Sequence, residues 1–270
     1  MGCRHVLQVT TVHSKRTDVR PGGVVSMSEF SMAVRTICGL AASAAIIAAC
    51  PARGEDALCG SIPELSTNPT LVLGHITSGT AIVHFIKDAT AQPGCPSRAP
   101  ACAERAYLVP GDRVIVSARR DAFVCATYIN AKSIDRSGWL PADAVADDKA
   151  EPVAPADWLG KWSRVEADIT VKAGKASALE IQGDATFGAK DPARVKRGAV
   201  NEGEIAGDVT PAGDRLSFAM GDGATLPVDK GDEFGCKVWM RRVGPWLIVN
   251  DNNNCGGFNV TFRGFYTRKP

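Results

Sequence analysis

The decisive stretch of this chain is Gly235-Cys236-Lys237-Val238-Trp239-Met240-Arg241-Arg242. Its cysteine, valine and methionine alternate with Lys237, Trp239 and Arg241, and a β-strand places alternate residues on opposite faces. With the apolar set in the core, Trp239 is predicted to point outward between two cations. Tryptophan and arginine dominate binding hot spots, so Trp239 and Arg241 are candidate binding residues. A surface strand decorated by cation–π contacts explains the same pattern.

Glycine-aspartate dipeptides, which are typical of turns, recur before that stretch in the sequence. The dipeptide starts at positions 111, 183, 207, 213, 221 and 231, where glycine permits a positive φ and aspartate bonds the nearby backbone. Short alternating runs lie around these turns, at 113–116, 178–187, 215–218, 236–241, 246–249 and 258–265. Frequent turns between short strands are typical of barrels and sandwiches. We therefore predict an all-β protein of antiparallel strands.

A short apolar leader indicates export. Arg35 precedes an apolar stretch of fourteen residues, 37–50, and Ala52-Arg53-Gly54 offers a small-x-small cleavage site. A membrane-spanning helix needs about twenty apolar residues, so the stretch is predicted to be a signal peptide. The 26 residues before Met27 are polar and without pattern, and translation is expected to start at Met27 or Met32. The mature protein is expected in the periplasm or outside the cell.

Cys50 gives the leader a second interpretation. Ile47-Ala48-Ala49-Cys50 resembles the lipobox of bacterial lipoproteins, with isoleucine in place of the usual leucine. A lipidated Cys50 would anchor the protein through its acyl chains. In the other interpretation Cys50 is an ordinary small residue near a cleavage site, and a membrane is a partner only in the lipidated form.

The basic charge of the chain comes from its leader. The whole sequence has a formal net charge of +2, but six of its Lys and Arg residues and only two of its acidic residues precede Glu55. The remainder holds 25 basic and 27 acidic residues, a net charge of −2. A nearly neutral chain with interspersed charges lacks the electrostatic footprint of a nucleic-acid-binding protein.

Six cysteines follow the leader, an even number suited to disulfides in an oxidising compartment. Four precede residue 126 and two follow residue 235, which predicts pairing within each group. The pairs we favour are Cys95 with Cys102, Cys59 with Cys125, and Cys236 with Cys255.

The polar residues do not predict a metal or a cofactor. Six residues separate Cys95 from Cys102, whereas zinc ligands are usually about two to four residues apart. His75 and His84 have no acidic or cysteine neighbour at ligand spacing. The run 251–254 is rich in Asp and Asn, but an EF-hand loop would not have cysteine and phenylalanine at its later ligand positions.

A charged segment with prolines, 147–157, has no apolar periodicity and is predicted to be a linker. It divides the chain into an upstream extension with signal peptide (1–54), a first β domain (55–146) and a second antiparallel β-barrel domain (158–270). No internal repeat relates the two domains.

The first domain contains Tyr107-Leu108-Val109-Pro110-Gly111-Asp112-Arg113-Val114-Ile115-Val116 and, later, Gly138-Trp139-Leu140-Pro141. In order and spacing these motifs resemble the bacterial Src-homology-3-like domains of envelope proteins. The resemblance implies a small barrel that binds wall peptides or partner proteins, with Tyr128 and Trp139 as exposed aromatic candidates. Packing within the barrel is the alternative role for both. The segment 87–105 is longer than in that family, which puts the family's ligand groove in doubt.

The second domain opens with Trp158-Leu159-Gly160-Lys161-Trp162. A Gly-x-Trp motif at the start of an antiparallel barrel is similar to the calycin group, which includes lipocalins and avidins. The resemblance implies a small calycin-like barrel. It does not carry over a biotin or hydrophobic-ligand function.

No motif of an enzyme is present. The chain lacks the Gly-x-Ser-x-Gly nucleophile elbow, the His-Glu-x-x-His zinc motif and a complete phosphate-binding loop. The pairs Glu166 with Asp168 and Glu202 with Glu204 share strand faces, which is typical of a solvated surface. We expect a protein that is not an enzyme.

The function expected from these features is a secreted binding protein of the bacterial envelope that recognises peptidoglycan or an envelope protein. One alternative is a periplasmic protein inhibitor, because inhibitors of lysozyme are also small disulfide-bonded β-barrels; this rests on architecture alone. The other alternative is a carrier for a small apolar ligand inside the barrel.

Overall fold

The computed structural model describes residues 59–60, 62–77, 79 and 82–270. These residues fall within one compact unit of the chain, Arg53–Pro270. The predicted signal peptide, Cys50 and the predicted starts lie outside the described residues. In the part of the chain that is described, no helix is long and apolar enough to cross a membrane.

Seven antiparallel strands form what we call the N-terminal sheet. They are β1 (Val72–Ile76), β2 (Val83–Ile86), β3 (Ala103–Leu108), β4 (Arg113–Arg120), β5 (Phe123–Ile129), β6 (Asp135–Pro141) and β7 (Val145–Asp147). Their order across the sheet is β3-β2-β6-β5-β4-β1-β7. Residues such as Phe85, Val114 and Leu140 form the apolar core on its inner side.

Nine antiparallel strands and one short helix form what we call the C-terminal barrel. They are β8 (Gly160–Arg164), β9 (Ala167–Ala173), β10 (Leu179–Phe187), α1 (Pro192–Lys196), β11 (Asn201–Val209), β12 (Arg215–Met220), β13 (Thr225–Leu226), β14 (Lys237–Val243), β15 (Trp246–Asp251) and β16 (Gly264–Arg268). Their order is β11-β10-β9-β8-β16-β15-β14-β12-β13. The all-β, antiparallel class predicted from the sequence is confirmed.

The C-terminal barrel is nearly closed. Its last strand, β16, pairs with its first strand, β8, through Thr267 opposite Ser163. The two ends of the sheet, β11 and β13, also meet, because the Asp208 amide donates to the Thr225 hydroxyl at 2.9 Å. Neighbouring strands run in opposite directions, so their connections alternate between the two ends of the barrel.

Two arginines stack on the buried Trp162 beside this closure. The guanidinium carbons of Arg242 and Arg268 lie 4.2 and 4.7 Å from the centre of the indole. Arg268 also donates to the carbonyl oxygen of Asp157, which ties the last strand to the segment before the first. Burial and the nearby Arg268 lower the pKa of Arg242 to about 10. Cation–π contacts of this kind are stronger when they are shielded from water.

Large side chains fill the interior of the barrel. Trp158, Phe218, Phe262 and Tyr266 are all fully buried there. The Tyr266 hydroxyl donates to the Phe262 carbonyl oxygen at 2.7 Å, and burial raises the pKa of this phenol. A filled interior disfavours the alternative of a small-ligand carrier.

The structure contains three disulfides, two in the N-terminal half of the described chain and one in the C-terminal barrel. They join the cysteines in the pairs that the sequence predicts, namely Cys59 with Cys125, Cys95 with Cys102, and Cys236 with Cys255. Disulfides persist in oxidising compartments, so they are consistent with a periplasmic or secreted protein.

A further apolar core connects the N-terminal sheet with the C-terminal barrel. Its buried members are Leu65, Leu71, Ile115, Ile129, Val243, Trp246, Ile248 and Phe265. The predicted linker, 147–157, begins at the end of β7 and runs into a 3₁₀ turn, Pro155–Trp158. The division into two domains stays a prediction.

This shared core changes the interpretation of the decisive stretch. Its cysteine, valine and methionine lie in the barrel core, as predicted, and Trp239 points out of the barrel. Trp239 is nevertheless half-buried against the shared core. Arg241 is only 8% exposed, forms an ion pair with Asp214 at 2.9 Å and donates to the Pro69 carbonyl oxygen. Trp239 points outward as predicted, but Trp239 and Arg241 do not form a free surface, because the segment before β1 covers both side chains.

The strand predicted over 258–265 is also wrong in its start. Residues 252–263 form a long connection, and β16 begins only at Gly264. Asn259 has a positive φ of 66°, which interrupts an extended chain. The Asp251 carboxylate accepts from the Phe262 amide at 2.6 Å and so fixes the connection from inside. We call residues 252–263 the Phe258 loop.

Gly203 allows the Phe258 loop to pack closely on β11. A Cβ at Gly203 would lie 2.3 Å from the Cys255 carbonyl oxygen, a backbone atom that cannot rotate away. We expect Gly203→Ala to lower the free energy of unfolding by about 1 to 3 kcal/mol, as overpacking does.

The matched control is Gly60→Ala, because a Cβ there would meet nothing within 4 Å. Urea unfolding followed by tryptophan fluorescence measures both variants. Equal stability of the two variants would contradict the close packing at Gly203.

Candidate functional site

Of the two aromatic residues predicted to be exposed on the first domain, Trp139 is buried and Tyr128 is half-buried. Trp139 is 1% exposed and packs among Ile86, Phe123 and the cysteines of two disulfides. The expectation of an exposed Trp139 is therefore wrong. Tyr128 is half-buried and packs on the core of the N-terminal sheet. The packing role, which the sequence left open, describes the positions of both side chains.

A different set of side chains forms an exposed apolar surface on the hairpin of β2 and β3. His84 lies opposite Tyr107 in the strand register, and their rings meet edge to face with centroids 5.9 Å apart. Ile82 and Val109 lie two residues further along on the same side. Ile82, Tyr107 and Val109 are 46%, 55% and 42% exposed. We call these four residues the hairpin platform.

A groove of about 380 Å³ adjoins the hairpin platform. Ile82 and His84 belong to the hairpin platform and also line the groove. Ile86, Ala103 and Ala144 add apolar surface to the groove. The opposite wall is the run 97–99, which the Cys95–Cys102 disulfide closes into a short loop. The long segment 87–105 thus provides a wall of this groove.

The rim of the groove carries one cation and one anion. Arg98 Nη2 and Asp143 Oδ2 are 2.7 Å apart, and their side chains are 59% and 68% exposed. Exposed ion pairs contribute only about 0 to 1 kcal/mol, so a ligand can separate this one at little cost. An apolar floor beside a guanidinium and a carboxylate suits a short peptide that carries both a carboxylate and an ammonium group.

Each of the two histidines in the described part of the chain has an oxygen partner within hydrogen-bonding distance. His84 Nδ1 lies 2.8 Å from the Glu104 carbonyl oxygen, which orients its ring on the platform. His75 Nδ1 lies 2.6 Å from an Asp148 carboxylate oxygen. Among the described residues, no group of three or more His, Cys, Asp or Glu side chains is placed to hold a metal ion.

The sequence pattern does not predict the hairpin platform, because the four residues lie in two segments that are far apart in the sequence. Ile82 and His84 alternate with Val83, and Tyr107 and Val109 alternate with Leu108, so each strand shows the pattern of a half-buried strand. Only the pairing of β2 with β3 brings the two sets together.

Comparison with known proteins does not assign the chain to a family. The chain matches no family model, no curated protein and no solved structure at a significant level.

The Cys95–Cys102 disulfide is expected to hold the groove wall. Replacing both cysteines by alanine should lower the free energy of unfolding by about 2 to 3 kcal/mol, since the bridge closes a short loop. Trypsin cleavage after Arg98 should become faster because the wall is no longer closed. Urea unfolding and mass spectrometry of the tryptic fragments measure these effects. Unchanged cleavage at Arg98 would show that the wall is held by other contacts.

Proposed function

We propose that this chain is a secreted, non-enzymatic binding protein of the bacterial envelope that recognises peptidoglycan or an envelope protein. The single observation that carries the proposal is the hairpin platform beside a groove with a charged rim. The disulfides support an envelope location.

Peptidoglycan has the chemistry that this surface suits. Its short peptides carry carboxylate and ammonium groups, which Arg98 and Asp143 would bind as charge-assisted hydrogen bonds. Exposed aromatic surface with a polar edge, as in Tyr107, is frequent at recognition sites. His84 holds one side of the Tyr107 ring, so little side-chain freedom remains to be lost on binding.

An envelope protein is the other partner that the proposal includes. β3 is the last strand of the N-terminal sheet, and its outer edge is therefore open to the addition of an extended peptide. Tyr107 and Val109 would then contact side chains of the added strand. The lysozyme-inhibitor alternative stays a prediction, because no inhibitory loop is matched in the chain.

Retention on purified sacculi tests the peptidoglycan ligand. The mature protein should sediment with sacculi, and the double variant I82S/Y107A should be retained about tenfold less, which corresponds to a loss of about 1.4 kcal/mol. Ile134→Ser is the matched control, since Ile134 is a comparably exposed apolar residue, at 53%, outside the hairpin platform.

Equal retention of the platform variant and the control would contradict a role for the platform. No retention of the wild-type protein would remove peptidoglycan as the ligand. The envelope-protein version is then tested by a photoreactive amino acid at Tyr107. It predicts a discrete cross-linked product in intact cells that is absent when the same group replaces Ile134.

A further inference from the structure

One end of the C-terminal barrel carries exposed apolar side chains on its connections. The connections 165–166, 188–200 and 252–263 share this end with the segment 221–236, which links β12 to β14 and includes the two-residue β13, because paired strands run in opposite directions. Each of these four segments is called a connection below. We call this end the loop end. The most exposed of its apolar side chains are those of Phe234 and Phe258, at 80% and 81%. Val165 and Val195, at 50% and 52%, lie on the same end. A concentration of exposed apolar groups marks an interaction surface.

The Phe258 loop is held so that Phe258 stays in solvent. Asn201 Nδ2 donates to the Phe258 carbonyl oxygen at 2.6 Å, and the Gly257 amide donates to the Glu202 carbonyl oxygen at 2.9 Å. Val260, two residues after Phe258, is 2% exposed and anchors the loop in the barrel core. A fixed loop loses little conformational freedom on binding, which favours its use as an anchor.

Two of the neighbouring connections carry opposite charges. Residues 188–200 include four Lys and Arg residues and one Asp, a net charge of +3. Residues 221–236 include four acidic residues and one Lys, a net charge of −3. Among the described residues, the ion pair found in these connections is that of Lys230 with Asp229, and both of its members belong to the acidic connection. The charges of the two connections do not neutralise each other within one copy.

The Phe258 loop lies between these charged connections. On one side it touches Glu202, just after the basic connection. On the other side its Cys255 is bonded to Cys236 at the end of the acidic connection. The loop end therefore presents a basic segment, a rigid aromatic tip and an acidic segment in that order.

This order determines which partner fits. An anionic membrane surface would repel Asp232 and Glu233, which directly precede Phe234. A surface with equal and opposite charges on either side of a central apolar tip is complementary to its own copy after a two-fold rotation. We propose that the loop end is a self-complementary interface through which two copies of this chain form a dimer, with the Phe258 loops at the two-fold axis.

Sedimentation velocity of the mature protein tests the proposal. We expect a dimer whose fraction rises with protein concentration and falls at high salt, because salt screens the charge pairs. The variant F234S/F258S should be monomeric under the same conditions. A wild-type protein that stays monomeric at high micromolar concentration and low salt would overturn the proposal.

Charge reversal identifies the interface. K196E/R197E makes both charged connections acidic, and D232K/E233K makes both basic, so each variant alone should be monomeric. An equimolar mixture of the two should form dimers again. The matched control K172E/K175E reverses two exposed lysines at the opposite end of the barrel and should dimerise as the wild type does. Dimers of either loop-end variant alone, or a monomeric control, would overturn the proposal.

A cross-link measured on the wild-type chain keeps the test independent of how the variants fold. A carbodiimide joins lysine to carboxylate only when they are in contact. In a mixture of ¹⁴N- and ¹⁵N-labelled protein, we expect a mixed-isotope peptide joining Lys190 or Lys196 to the acidic connection. Cross-linked dimers that contain only other residues would overturn the proposal.

Discussion

The pairing of β16 with β8 brings the two ends of the barrel segment of the chain together. It joins the last strand of the barrel to the first, and the stacking of Arg242 and Arg268 on Trp162 reinforces it next to that junction. The donation from Arg268 to the Asp157 carbonyl oxygen extends the closure to the segment that leaves the N-terminal sheet. The edge strands of the barrel sheet, β11 and β13, meet through the hydrogen bond from the Asp208 amide to the Thr225 hydroxyl, so the barrel is nearly closed. The surfaces proposed for binding lie on its connections and on the neighbouring sheet.

The closed barrel also determines what the decisive strand does. β14 directs one set of side chains into the barrel and the other set outward, and the outward set meets the segment before β1. Asn250 adds a polar contact at the same junction, since its side chain accepts from the Leu65 amide at 2.6 Å. A tryptophan and an arginine, which are typical of interfaces between proteins, here serve the contact between two sheets of one chain. Tryptophan and arginine therefore indicate a contact surface, but they do not distinguish a contact within one chain from a contact with another molecule.

Features that depend on neighbouring residues could be predicted from the sequence, whereas features that depend on distant segments could not. The disulfide Cys236–Cys255 and the alternation in β14 were predictable, because turn spacing, cysteine parity and strand period are local properties. The burial of Trp139 and Trp239 was not, because it depends on segments far away in the sequence. The start of β16 was misplaced for a similar reason: Asp251 and Tyr266 bind the backbone around Phe262 and outweigh its strand-like pattern. The hairpin platform needs the register of β2 and β3, which each strand alone does not contain.

The two surfaces proposed for binding use different parts of the chain, and this has a physical consequence. The groove is lined by residues of the N-terminal sheet and its loops, whereas the loop end is formed by connections of the barrel. Pairing of two copies at the loop end would therefore use none of the groove residues and would give one particle two grooves. Peptidoglycan repeats the same peptide many times, so the second groove would bind at the high effective concentration set by the first. Weak contacts at an exposed ion pair and an aromatic platform would then be sufficient for firm attachment to a polymer.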